Sequence, residues 1–490
     1  MALISRLNLG GLLETGLLIL YLTCLALAWL TARSIYRLWF HPLRNIPGPK
    51  LAPVTHLYEL YFDAAKGPVV RINPREVHIK DSDLFHVIYP GGRRDRDPKS
   101  FINELLPTSV TVTVGHDHHK LRRHIISGFF SKLSVIRLDE MIRDKLHSVL
   151  NALTLDIIPE YMYGESLGNL DLDLASSSNT VTHGAVSVIQ WLHYVRVFPP
   201  MVATRTCCAN HLLRGDQSLV GPLLRVFQLT RDNALKCLAV AATGTSGSSY
   251  GHGKREKTIL RAMAADSVPP QEKSFERLTM EAVAILSAGT DTTARTAAVA
   301  LFHLAHNPAI LRTLRIELLR VFLVSVDKVP WSQRNVSAGQ LEKLPYLTAV
   351  VQESIRVTHP VIMRSARVAA EPVRYKNTTP MSQSVHFVCM DPKIFPYPQI
   401  FNPDRWIEAA AKGVNLIKYL AAFGTGHRSC LGTHLAYAEL YHVIAALACS
   451  FEWELHETGL EDVRITRDFQ LAVPESGSLA IKILLTGTVG

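Results

Sequence analysis

The longest uncharged stretch at the start of the chain lies between Glu14 and Arg33 and reads TGLLILYLTCLALAWLTA. With Leu12 and Leu13 it approaches the ~20 apolar residues that cross a hydrocarbon layer. Residues 12–32 are therefore expected to form a membrane-spanning helix behind a short segment, 1–11. Tyr21 and Trp29 are of the amphipathic type that sits near lipid–water interfaces. Arg33, Arg37, Arg44 and Lys50 follow the stretch and only Arg6 precedes it, which places the body on the cytoplasmic side. Ala26-Leu27-Ala28 resembles a signal-peptide cleavage site, but the apolar run exceeds a usual signal core and basic charge follows it. Thr296–Leu311 is also uncharged, yet His303, His306, Asn307 and Pro308 interrupt it, which disfavours a second span. Ile46-Pro47-Gly48-Pro49 cannot continue a helix, so residues 33–50 read as a basic hinge ahead of a body, 51–490.

In the body, Val69–Lys80 alternates partly and is rich in β-branched residues, which predicts short strands. From about His116 to past residue 350 the pattern is mainly helical. Gly244–Gly253 reads as a flexible loop. Leu278–His306 predicts a long helix stopped by Asn307-Pro308, and Pro345–Thr358 predicts another. Arg364–Val388 favours short strands and turns. Residues 433–449 (THLAYAELYHVIAALAC) form a strongly apolar helix. Mostly helical segments with small β pieces from distant parts of the chain imply a mainly α fold with small β regions (α+β), built as one large domain.

Composition narrows this reading. At 48% hydrophobic and 19% charged residues, the 490-residue chain is too apolar for disorder. A mean hydropathy of +0.13 is partly the anchor's doing. The net charge of +10 permits an anionic membrane surface, nucleic acid or an acidic protein partner. The charges are spread out, with no basic stripe interleaved with aromatics, which argues against nucleic acid. Seven cysteines without a CxxC exclude a disulfide scaffold, a zinc ribbon and a thioredoxin-like site.

One of those cysteines sits in a distinctive loop, Phe423-Gly424-Thr425-Gly426-His427-Arg428-Ser429-Cys430-Leu431-Gly432. A helix N-terminus and neighbouring Arg lower a thiol's pKa and favour the thiolate. A thiolate is also the axial ligand that pushes electron density onto haem iron and promotes O–O cleavage. Gly426 and Gly432 would allow tight turning against a flat macrocycle. Arg428 would pair with a carboxylate on its edge, and Phe423 would shield the sulfur. A second constellation, Ala288-Gly289-Thr290-Asp291-Thr292-Thr293, lies inside the long helix. Gly289 would leave room beside a ligand, and a Thr hydroxyl bonding back to a carbonyl would loosen the helical ladder there. Glu353-Ser354-Ile355-Arg356 puts opposite charges on one helical face. The run His116–His124 (HDHHKLRRH) contains four histidines, but its spacing matches no zinc motif.

The FxxGxRxCxG register around Cys430 resembles the haem-binding motif of the cytochrome P-450 superfamily of haem-thiolate monooxygenases. AGxDTT and ExxR follow that family's order, and Phe401-Asn402-Pro403-Asp404-Arg405-Trp406 resembles its FxPxRW segment. The resemblance covers about Pro47 to the C-terminus. FHPLRNIPGPKLAP, GPVVRINPREVHI, LPYLTAVVQESIR and AYAELY are most similar to fungal members of secondary metabolism, especially the trichodiene-oxygenase-like group.

The resemblance implies haem b with Cys430 as its iron ligand, and proton relay by Asp291 and Thr292. His119 and Arg123 would contact haem propionates, with Arg364 or Arg367 adding another contact. Glu353, Arg356 and Arg405 would form a structural network. It further implies electrons from NADPH through a separate flavoprotein reductase, an endoplasmic reticulum membrane location and a lipophilic substrate. Phe101–Val114, Ala284–Thr292 and Val361–Met363 are the candidate substrate-lining segments. Segments 57–67, 146–155 and 377–385 are shorter than the family pattern. The competing readings are a haem-thiolate isomerase or dehydratase and a non-catalytic haem binder.

Overall fold

The computed structural model describes residues 9–45, 51–54, 69–71, 74, 76–89, 92–98, 108–139, 141–142, 157–162, 228, 230–241, 258–322, 336–362, 367–368, 381–469, 471–477 and 481–489. The hinge prolines 47 and 49, residues 101–107, the loop 244–253, Met363, Arg364 and the short segments at 57–67, 146–155 and 377–380 lie outside the described residues. The organising helices are α1 (Leu9–Ile35), α2 (His116–Ser127), α3 (Phe275–His306), α4 (Pro308–Phe322), α5 (Pro345–Thr358), α6 (Asp404–Ala411) and α7 (Thr433–Ser450). The strands are β1 (Val69–Arg71), β2 (Val77–Ile79), β3 (Asp95–Arg96), β4 (Arg367–Val368), β5 (Met381–Ser382), β6 (Phe451–Leu455), β7 (Ile465–Phe469), β8 (Leu471–Pro474) and β9 (Ile483–Thr488). Helices dominate and the strands are short, as the hydrophobic periodicity predicts.

Contact density divides the chain into two units. The first comprises residues 1–80 with 371–382. Its helix α1 continues into a π-helical turn, Tyr36–Phe40, so it is longer at both ends than 12–32. Gly16–Phe40 has a mean hydropathy of 1.7 and buries nothing, and its 25 residues are long enough to cross a membrane. Thr23, Thr31 and Ser34 donate their hydroxyls to carbonyls one turn back at 2.7, 2.8 and 2.7 Å, so each of these three is satisfied within the helix. In the same unit β1 pairs antiparallel with β2, and β2 parallel with β5. Arg71 is buried and donates to the carbonyls of Pro74 and Arg37, at 2.8 and 3.2 Å.

The second unit comprises residues 81–370 with 383–490. Ser274 caps α3 by accepting from the Arg277 N–H at 3.1 Å. Asn307 closes the helix before Pro308, which then opens α4. Pro345 stands in the first turn of α5, where its missing N–H costs nothing. The core lies where α3, α5 and α7 pack: Leu301, Phe302, Leu347, Val350, Leu440 and Ile444 are all essentially inaccessible. Because α7 is apolar on nearly every face, it is buried by neighbours on several sides. The pairs β3–β4, β6–β9 and β7–β8 are antiparallel. Within the stretch expected to hold strands and turns, Val385–Cys389 is instead a short helix, because the Ser384 hydroxyl caps it from the His386 N–H.

Candidate active site

The cysteine loop is two single 3-10 turns, Ala421–Phe423 and Gly426–Arg428, joined by Gly424 at positive φ and the extended Thr425. Gly424 has φ +65° and Gly426 φ +70°, which only glycine adopts without strain. The turn-making pair is thus Gly424 and Gly426, not Gly426 and Gly432. Gly432 has an ordinary φ of −82° and stands against the sulfur, where a Cβ would lie 4.0 Å from Cys430 Sγ. The Cys430 N–H donates to the Phe423 carbonyl at 2.7 Å, and the Phe423 ring packs on Tyr437 with centroids 5.5 Å apart. Burial pushes the Cys430 thiol pKa up, against the Gly432 N–H, the Thr433 hydroxyl and Arg123, which favour the thiolate. The helix terminus and basic neighbours therefore do not outweigh desolvation, contrary to the expectation from sequence. Cys430 is nevertheless exposed.

Beside it gathers a group of cations. Arg428 donates to the Thr113 and Val114 carbonyls, both at 2.8 Å, and Arg123 donates to the Ser429 carbonyl at 2.8 Å. His119 is buried, and desolvation followed by Arg428, Arg123 and Arg367 pushes its pKa down to about 3. Arg96 is pushed down to about 9 by burial, then by Arg367 and Arg428. Asp95 is the acidic group acting on Arg428, but its carboxylate already accepts from the His116 N–H at 2.8 Å. Among the described residues, the Nε atoms of Arg96 and Arg428 are buried without a hydrogen-bond partner. The histidines of α2 diverge: His116 stacks edge-on to His427, His118 meets Glu272, and His119 joins the cations. No cluster able to hold a metal ion occurs among the described residues.

Half-way along α3 the packing opens. Leu286 and Thr290 are buried, whereas Ser287 and Ala288 between them are exposed. Thr292 donates its hydroxyl to the Ala288 carbonyl at 2.7 Å, yet α3 remains a continuous α-helix. Desolvation raises the Asp291 pKa, with Arg295 opposing it. Gly289 does not leave room for a ligand: a Cβ there would overlap Cδ1 of Ile158, from the helical residues 157–162. Gly289→Ala is expected to cost about 1–3 kcal/mol by overpacking. Ile158→Val removes the clashing methyl, so the double variant should melt higher than Gly289→Ala alone. Independent, additive losses in the two single variants would refute this contact.

On the far side of α5, Glu353 organises a buried network. Its Oε1 accepts from Arg356 Nη2 at 2.7 Å, the Asn402 N–H at 2.9 Å and Arg405 Nε at 3.1 Å. Its Oε2 accepts from Arg356 Nε and Trp406 Nε1, both at 2.9 Å. Arg356 Nη1 donates to the carbonyls of Pro398 and Cys389, at 2.8 and 3.0 Å. Glu353 and Arg356 are wholly inaccessible.

A family model for cytochrome P450 matches residues 95–480. The cytochrome P450 monooxygenase aflU of Aspergillus parasiticus is 40% identical over 501 aligned residues, covering 94% of this chain and 96% of its own. The chain belongs to the cytochrome P450 family. The monooxygenase TRI4 of Fusarium sporotrichioides is 34% identical, with 92% and 93% covered, as is the conidiogenone synthase PchP450 of Penicillium rubens, with 92% and 96%.

Membership in the cytochrome P450 family implies a thiolate-ligated haem iron, and the residues present fit one. The exposed Cys430 and the excess of cations beside it suit a flat macrocycle with two carboxylates. The buried Nε donors of Arg96 and Arg428 are of the kind a carboxylate satisfies. Within the sequence-derived set, the structure brings together Cys430, Phe423, Gly426, Gly432, Arg428, His119 and Arg123. Asp291 and Thr292 lie on α3, and Glu353, Arg356 and Arg405 form the separate network. Sequence reasoning missed Gly424, Arg96, Thr433 and the Trp406 donor. Of these only Gly424 and Trp406 carried a signal, since they stand inside motifs already noted.

Proposed function

We propose that this cytochrome P450 inserts one oxygen atom of O2 into a lipophilic terpenoid- or polyketide-type intermediate of fungal secondary metabolism. The observation that carries the reading is the exposed Cys430 in its glycine loop, held beside Arg123 and Arg428, with the buried Nε donors of Arg96 and Arg428 open to a carboxylate. In this reading residues 12–32 anchor the protein in the endoplasmic reticulum membrane, 33–50 form a hinge, and 51–490 are a cytoplasmic catalytic domain. When bound through Cys430, haem b supplies reductive activation of O2. Arg96, Arg123, Arg367, Arg428 and His119 are the groups that would hold its propionates, and Phe423 would shield the sulfur from water.

Asp291, whose carboxyl pKa burial raises against the opposing charge of Arg295, would take up and hand on a proton. Thr292 passes it from a hydroxyl seated on the Ala288 carbonyl. Electrons come from NADPH through a separate flavoprotein reductase, because the sequence carries no dinucleotide-binding glycine motif of its own. The net charge of +10 favours an acidic reductase face and an anionic leaflet.

The test is turnover with the reductase and isotopically labelled O2, using extracts of candidate intermediates. One labelled oxygen in the product supports the proposal; an unlabelled, rearranged product would replace it with isomerisation. Thr292→Ala is expected to uncouple the reaction, with NADPH still consumed and product per NADPH down by about tenfold or more. Unchanged coupling would remove Thr292 from the relay.

A further inference from the structure

We infer that Glu281 is a positioning residue that fixes the wall of the substrate site formed by Thr108–Val114, through a buried ion network away from the thiol. This rests on the monooxygenase reading above. The Glu281 carboxylate accepts from the Val110 N–H at 2.7 Å, and a second tie runs from the Thr108 hydroxyl to the Glu276 carbonyl at 3.4 Å. Glu281 in turn meets Arg277 one turn earlier on α3. Arg277 Nε donates to Glu272 at 3.1 Å, and Glu272 also accepts from Arg122 Nε on α2 at 2.8 Å. Arg122 closes the circuit by donating to the Thr113 hydroxyl at 3.0 Å. Two carboxylates therefore face two guanidiniums, with Glu272, Arg277 and Glu281 all buried.

A buried network of this size is poor value for stability, because desolvating four charges offsets most of their attraction. Its geometry favours registration of elements instead. The two ends of one short segment are tied: Val110 to α3 and Thr113 to α2. The same segment is bonded on its other side to Arg428 of the cysteine loop through the Thr113 and Val114 carbonyls. Glu281 stands two helical turns before the exposed Ala288, about 10 Å along α3. The segment thus bridges the cysteine loop and the open stretch of α3, where a substrate wall must lie. Its distance from both is set by charges that never touch substrate.

The experiment compares the full-length holoprotein with Glu281→Ala and Glu281→Gln. In Glu281→Ala, amide hydrogen exchange at Val110–Thr113 should accelerate by about tenfold or more, with Ala297–Leu304 of α3 unchanged. The bulky azole clotrimazole, titrated by its Soret shift, should change affinity by about fivefold or more, and imidazole by less than twofold. Glu281→Gln, which keeps an acceptor for Val110, should recover most of the protection. Should Glu281→Ala fail to fold, Val110→Pro deletes the donor from the loop side, at a first-turn position that tolerates proline. It should show the same loosening at residues 111–113. Unchanged exchange in both loosening variants, or equal shifts for clotrimazole and imidazole, would overturn the inference. If wild type shows no azole shift at all, the haem-thiolate reading fails, while the exchange data still report on the network.

Discussion

Cys430→Ala is expected to abolish the thiolate-type Soret band of the reduced, CO-bound protein, and monooxygenase turnover with it. Thiolate ligation is the property that gives this class of haem its capacity to cleave O–O bonds, and no other group in the loop can supply it. Thr433 and Ser429 carry hydroxyls, and His427 is exposed and stacked on His116. The fold should survive. The substitution deletes one sulfur and leaves the bond from the residue 430 N–H to the Phe423 carbonyl intact. Far-UV circular dichroism and the melting temperature should therefore stay close to those of the parent protein. Cys449→Ala is the control, because Cys449 lies at the other end of α7 and should leave the band in place. A normal band in Cys430→Ala would show that another residue holds the iron.

The second large effect is structural. Glu353→Ala is expected to prevent accumulation of folded, haem-loaded protein. The carboxylate accepts five hydrogen-bond contacts, so its removal leaves the Arg356 charge buried without its counter-ion and also strands Arg405 Nε and the Asn402 and Trp406 N–H groups. Breaking a buried ion pair from one side costs about 3–5 kcal/mol, a large share of the ~5–15 kcal/mol that holds a domain together. Glu353→Gln keeps the shape and one acceptor oxygen, so it should be intermediate.

The same network makes stability depend on pH. Burial raises the Glu353 pKa, but the hydrogen bond and charge of Arg356, the charge of Arg405 and the Asn402 N–H outweigh it. The net position is below the ordinary 4.5. A carboxylate whose folded pKa lies below its unfolded one stabilises fully above the unfolded value, and that contribution is lost as pH falls through the folded pKa. Denaturant melts should thus show a loss of stability in wild type on acidification below about pH 4.5, and a shallower loss in Glu353→Gln. A Glu353→Ala protein that folds and melts like wild type would refute the assignment.

Much of this was legible along the chain. The contiguous motifs named the thiol, the acid–alcohol pair and the Glu–Arg pair, because the chemistry is encoded in residues only a few positions apart. The bounds of α5 were legible too, since Pro345 opens the helix and His359-Pro360 follows its last residue. The apolar run of α1 predicted a helix long enough to cross a membrane, although the helix continues past Arg33, which the charge pattern could not show.

Other features depended on residues far apart in the chain. Gly289 is small because Ile158 packs against it from over a hundred residues away, a contact that no local pattern records. Gly432 stands in the same motif as Gly424, but only the backbone angles show which one turns the chain. Arg96 and Arg367 join Arg428 because β3 and β4 pair, and Glu281 meets Val110 because α3 passes the cysteine loop's neighbouring segment. The direction of the thiol's pKa also reversed. Local charges and a helix terminus favour the thiolate, but desolvation is a sum over everything that surrounds the sulfur. The sequence by itself determined which groups can react; tertiary structure decided how much water and charge each one meets, because burial and Coulomb interactions are set by distances through space and not along the chain.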